Sequence, residues 1–160
     1  AEAAKADKVK VRGYVSMVTD CPFDGPIEPE AVARVAVALR QMGCYEISLG
    51  DTIGRGTPET IARMLERVLE DVPAAELAGH YHDTGGRALE NIEASLALGL
   101  RVFDASVGGL GGCPYAPGAK GNVATEAVET RLRQQGYVTG LDVAVVAEAA
   151  AMARKMRSGA

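Results

Sequence analysis

His80 and His82 are the only histidines in the 160-residue sequence, and they stand two residues apart in His80-Tyr81-His82-Asp83-Thr84. At the end of a strand, residues i and i+2 point to the same side. Both imidazoles then come within reach of one metal ion. A lone histidine reads as a satisfied core residue, whereas this pair at a strand end reads as metal binding. Asp83 and Thr84 are suited to cap a following helix. The second candidate is the Gly-rich run Gly108-Gly109-Leu110-Gly111-Gly112-Cys113-Pro114-Tyr115-Ala116-Pro117-Gly118-Ala119-Lys120-Gly121-Asn122. A dinucleotide fingerprint fails here, because GxGxxG counted from Gly109 needs glycine at 114, where proline stands. Glycines flanking Cys113 suit a lid that brings a thiol to a site, or else a surface loop whose cysteine is incidental. The third candidate is Glu46-Ile47-Ser48-Leu49-Gly50-Asp51-Thr52-Ile53-Gly54. There Ser48 and Asp51 meet substrate or support the metal, or Asp51 and Thr52 simply close a turn. Cys21-Pro22-Phe23-Asp24-Gly25 reads as a turn, and Cys44, beside a strand, as buried packing.

Strand–helix units must position these residues. Strands are expected at about Val9–Val18, Tyr45–Leu49, Leu77–Tyr81 and Arg101–Val107. Helices are expected at about Pro29–Met42, from Thr57-Pro58 onward, at about Gly86–Leu98 and at about Thr125–Gln135, with a last Ala-rich one capped by Asp142 and running to about Met156. Val32, Val35, Ala36 and Leu39 make the stripe of the first, Ile61, Met64, Leu65 and Val68 that of the second, and Leu89, Ile92 and Leu96 that of the third. Gly43 and Gly99 are the helix stops. Strands alternating with helices imply a parallel sheet, an α/β fold. Along the strands one row is apolar (Val11, Val15, Met17; Tyr45, Ile47, Leu49; Phe103, Ala105, Val107). The other is polar (Arg12, Ser16; Glu46, Ser48; His80, His82; Asp104, Ser106). An open sheet covered by helices on both faces would be apolar on both. A barrel with a polar interior explains the pattern, as does a layer with one solvated face.

Composition narrows the class. The formal net charge is −4 with no basic run, which argues against nucleic acid and polyanionic surfaces. No apolar stretch approaches the roughly 20 residues of a membrane span. The Ala/Lys/Asp segment from Ala1 to Lys10 lacks the apolar core of a signal peptide. Three cysteines without CxxC or zinc-ribbon spacing suggest free thiols in a reducing, cytoplasmic setting. The length suffices for one core but falls short of the about 250 residues of a full (β/α)8 barrel.

Together, VRGYVS at Val11–Ser16, GCYEISLGDTIGRGTP at Gly43–Pro58, HYHDT at His80–Thr84 and GGLGGCPYAPGAKGN at Gly108–Asn122 resemble the 3-hydroxy-3-methylglutaryl-CoA lyase family. The resemblance runs from about Val9 to Lys155. The cysteine loop is the specific signature, while HxHD is shared with isopropylmalate and homocitrate synthases. The resemblance implies the C-terminal half of a TIM (β/α)8 barrel: four parallel strands with helices plus a C-terminal helix, forming one partial domain over residues 1–160. It implies a divalent cation, Mg²⁺ or Mn²⁺, held by His80, His82, Asn122 and an Asp of the first barrel strand. Such an ion suits two nitrogens completed by oxygens and water.

The implied reaction cleaves 3-hydroxy-3-methylglutaryl-CoA to acetyl-CoA and acetoacetate in a retro-Claisen sense. Cys113 takes part in the proton transfer, and His80 helps move the hydroxyl proton. The family's first half-barrel has no counterpart in this sequence. With it go an Arg and an Asp of the first strand and an acidic residue of a following strand. The expectation is therefore little or no activity in the chain alone. Two open strand edges, at Val9–Val18 and Arg101–Val107, would be covered by a second copy or by a complementary N-terminal half-barrel. Two other functions fit the same residues: a related acyl-CoA aldol-type lyase or synthase, which the cysteine loop disfavours in its synthase form, and a non-catalytic metal-binding half-barrel.

Overall fold

The computed structural model describes residues 1–112 and 121–158. The segment with Cys113, proposed above as a lid, lies outside the described residues. The chain begins with α1 (Glu2–Ala6), β1 (Arg12–Ser16) and a small hairpin of β2 (Asp20–Cys21) and β3 (Gly25–Pro26). It continues with α2 (Pro29–Gln41), β4 (Glu46–Asp51), α3 (Pro58–Leu69), β5 (Leu77–Tyr81) and α4 (Ala88–Ala97). It ends with β6 (Phe103–Asp104), α5 (Thr125–Gln134) and α6 (Val143–Ser158). Four strands make one parallel sheet in the order β1-β4-β5-β6, so β1 and β6 are its edges, as the alternation of elements predicts.

Local chemistry accounts for the helix ends. Thr57 caps α3: its side chain accepts from the Thr60 N–H while the Thr60 hydroxyl accepts from the Thr57 N–H. Two of the free donors at the helix start are thereby satisfied, and Pro58, which has no N–H, follows at no cost. Asp142 caps α6 by accepting from the N–H groups of Ala144 and Val145. Gly43 and Gly99 stop α2 and α4 at φ +90° and +99°, values that a residue with a Cβ adopts only under strain.

Helices cover one face of the sheet. Val15, Ile47, Leu49, Leu77 and Tyr81 pack there against Val32, Ala36, Ile61, Met64, Leu65, Val68 and Ile92. Full burial of each large side chain stabilises by about 1.5–3 kcal/mol relative to exposure. The α3 stripe is buried as its spacing predicts. In α2 the buried set is Val32, Ala33 and Ala36 while Val35 is exposed, so that helix is rolled slightly from its most apolar face.

β6 is shorter than the expected Arg101–Val107. Its ladder reaches only Gly79↔Phe103 and His80↔Asp104. Beyond it, Ser106 donates to Val123 and accepts from Thr125, and the chain then turns at Val107–Gly109. No helix among the described residues is long and apolar enough to cross a membrane.

Candidate active site

The strand register explains which side chains meet. Arg12 pairs with Glu46, Ser48 with Ala78, and His80 with Asp104. Even-numbered residues therefore stand side by side on all four strands and share the face opposite the helices. Arg12, Glu46, Ser48, His80 and Asp104 form the polar row across it that the sequence pattern anticipates, and Tyr14 joins them.

Asp104 is the hub of this row. Its carboxylate accepts from Arg12 Nη1 at 2.8 and 2.9 Å, from Ser48 Oγ at 2.8 Å and lies 3.1 Å from His80 Nδ1. Burial opposes its ionisation, but the hydrogen bonds from His80, Ser48 and Arg12 outweigh that cost and hold its pKa down at about 2. Arg12 also donates through Nε to Glu46 and through Nη1 to the Tyr14 hydroxyl. Burial works against the Arg12 charge, yet its bonds to Glu46, Asp104 and Tyr14 raise its pKa overall. The guanidinium lies 5.1 Å from the Tyr14 ring centre, and the Tyr14 ring meets His80 edge-on at 6.3 Å.

His82 continues the same face one step past β5. Its ring centre is 5.5 Å from that of His80, so the HxH pair converges. His82 is only 7% exposed, and its Nδ1 is buried with no hydrogen-bond partner among the described residues. Burial, then the neighbouring His80, lowers its pKa and favours the neutral ring. Asn122 forms a β-bridge with His82. Its side-chain Nδ2 donates to the Leu110 carbonyl at 3.0 Å, which leaves Oδ1 as the amide's available acceptor.

A buried, unpartnered imidazole nitrogen, a second imidazole beside it and an oriented amide oxygen suit a divalent cation. Among the described residues no three His, Cys, Asp or Glu side chains converge as a metal cluster. The set is thus two rings and an amide, short of a carboxylate.

Asp51 makes the turn hydrogen bonds that are one of its two sequence-based readings. It shares the odd-numbered row with Ile47 and Leu49, is fully buried, and points away from the histidines. Its Oδ1 accepts from Thr19 Oγ1 and the Arg55 N–H, both at 3.2 Å, and its Oδ2 from the Gly56 N–H at 2.8 Å. Burial raises its pKa, and those donors oppose the rise. Asp51 thus anchors the loop that follows β4. A Cβ at Gly56 would sit 2.8 Å from Asp51 Oδ2, so glycine permits this close approach. The anchored loop supports the histidine segment: Gly85 donates to the Gly54 carbonyl at 3.1 Å, and Asp83 accepts from the Ala88 N–H at the start of α4.

Ser48 faces the polar side as expected, with its hydroxyl on Asp104. Cys21 and Cys44 are both buried. Asp104 and Arg12 are absent from the sequence-derived site set. Their parity along the strands places them on the polar face, but their mutual contact needs the register.

Known proteins provide the remaining comparison. The HMGL-like family model matches residues 2–153. Hydroxymethylglutaryl-CoA lyase of Pseudomonas mevalonii is 56% identical over 146 residues, covering 91% of this chain and 48% of the relative. Among solved structures, the HMG-CoA lyase of Brucella melitensis superposes with a TM-score of 0.96 at 60% identity, covering 98% of this chain and 56% of that one. An HMG-CoA lyase of Acinetobacter baumannii, in complex with coenzyme A and 3-methylmalate, gives a TM-score of 0.87 at 33% identity over 98% of this chain and 50% of that one. The chain thus spans about half the length of the relatives it matches, and its four-stranded sheet is a partial (β/α)8 barrel. On the match over nearly all its length, the chain belongs to the HMGL-like family.

Proposed function

We propose that the chain is the metal-binding half of a hydroxymethylglutaryl-CoA lyase, cleaving 3-hydroxy-3-methylglutaryl-CoA to acetyl-CoA and acetoacetate once its sheet is completed. The observation that carries the reading is the convergence of His80 and His82 on the polar face, with Asn122 bridged beside them. His80, His82 and the Asn122 Oδ1 would hold Mg²⁺ or Mn²⁺. The ion, when bound, supplies Lewis-acid polarisation of the substrate's oxygens. When it is not ligating the ion, His80 is the proposed acceptor of the tertiary hydroxyl proton, the event that starts carbon–carbon cleavage. Ser48 lies on the same face, and its hydroxyl oxygen keeps lone pairs to accept from substrate. Cys113 is the proposed donor that protonates the acetyl-CoA carbanion after cleavage. Residues 1–160 act as one partial domain, and the remaining donors come from a complementary N-terminal half-barrel or from self-association. The setting proposed is cytoplasmic, with neither nucleic acid nor membrane as partner.

A second reading, metal binding without catalysis, is favoured by the lack of a convergent carboxylate among the described residues. One experiment separates the two. Acetyl-CoA release is followed with Mg²⁺ or Mn²⁺ for the isolated chain and for the chain mixed with the N-terminal half of a related lyase. The isolated chain is expected to be nearly silent, because a preplaced positive group for the developing enolate is typically worth about 10²–10³ in rate. The mixture should turn over. Silence of the mixture, despite a stable complex, favours the non-catalytic reading. Full activity of the isolated chain overturns the half-site argument. Independently, His82→Ala should weaken Mn²⁺ binding at least about tenfold by calorimetry. Unchanged affinity would remove His82 from the metal site.

A further inference from the structure

Asp104 belongs to the polar row but to none of the roles assigned above. It is the backbone partner of His80 in the β5–β6 ladder. One of its carboxylate oxygens lies 3.1 Å from His80 Nδ1. The same oxygen also accepts from Ser48 Oγ at 2.8 Å and from Arg12 Nη1 at 2.9 Å. Three strands thus converge on one oxygen, and Arg12, itself held by Glu46 and Tyr14, reaches it from the far edge strand.

An arginine ion pair keeps this carboxylate charged, and a charged carboxylate only accepts. The ring nitrogen facing it must then carry the hydrogen. We propose that Asp104 is a positioning residue for His80: it holds the imidazole as the Nδ1–H tautomer and leaves Nε2 as the nitrogen with the free lone pair. A lone pair fixed on one nitrogen suits ligation, and the outer carboxylate fixes the ring's orientation. Among the described residues His82 has no such anchor at Nδ1, so there the two rings are held by different means.

The purpose of this arrangement rests on the proposed metal site, but the tautomer does not. It is read on the metal-free, ¹⁵N-labelled 160-residue chain by long-range ¹H–¹⁵N spectra, at a pH where both rings are neutral. Only two imidazoles contribute, and His82→Gln assigns them. His80 is expected as the Nδ1–H tautomer in the wild type. In Asp104→Ala it should shift to the Nε2–H form that free neutral imidazole favours, with the His82 resonances little changed. Mn²⁺ affinity should fall about 10–100-fold in the same variant. An Nε2–H tautomer for His80 in the wild type overturns the proposal even if Asp104→Ala does not fold. An unchanged Nδ1–H tautomer in a folded Asp104→Ala also overturns it. If the wild type has the Nδ1–H form but binds no Mn²⁺, the metal reading fails and the positioning stands.

Discussion

Asp51 and His82 lie at the carboxyl ends of adjacent strands, both buried, and their surroundings give them opposite chemistry. Three donors surround the Asp51 carboxylate, so it is spent on the loop that follows it. His82 Nδ1 has no partner among the described residues, so it is free for a ligand. In Asp51→Asn the amide can turn only one oxygen toward those donors, and at least one backbone N–H loses its acceptor. The expected loss is about 1–3 kcal/mol in urea unfolding. A loss below about 0.5 kcal/mol would mean that the loop does not depend on this carboxylate. Thiol chemistry follows the same logic. Cys21 and Cys44 are each 7% exposed, so mild alkylation with peptide mapping should label Cys113 first. Preferential labelling of Cys44 would contradict the role proposed for Cys113.

Among the elements, α3 is the one whose start is most fully specified by local chemistry. The reciprocal Thr57–Thr60 bonds form a single unit. Thr57→Ala should therefore cost about 1 kcal/mol, and Thr57→Ala with Thr60→Ala should cost less than the two single changes added together. Strict additivity in denaturant unfolding would show that the two bonds act independently. The helix matters to the site because the loop entering it is the one anchored by Asp51, and that loop's Gly54 accepts from Gly85 just past the histidines. The site is thus positioned by strand ends and tied turns, which are more rigid than a free loop.

Over the whole molecule, the polar row of an incomplete barrel is left open at two strand edges. With the proposed pairing at these edges, mass action predicts a thermal midpoint that rises with the chain's own concentration, and rises further when an N-terminal half is added. A concentration-independent midpoint, with a monomer in sedimentation, would show that the edges are stable uncovered. The sequence by itself determined the order of strands and helices, the two rows of the sheet and the convergence of His80 with His82. These follow from periods of 2.0 and 3.6 and from caps written within a few residues. Only the tertiary structure decided that Arg12, Ser48, His80 and Asp104 join in one network. That contact spans up to 92 residues of chain and depends on the register between strands, which brings residues far apart in sequence side by side.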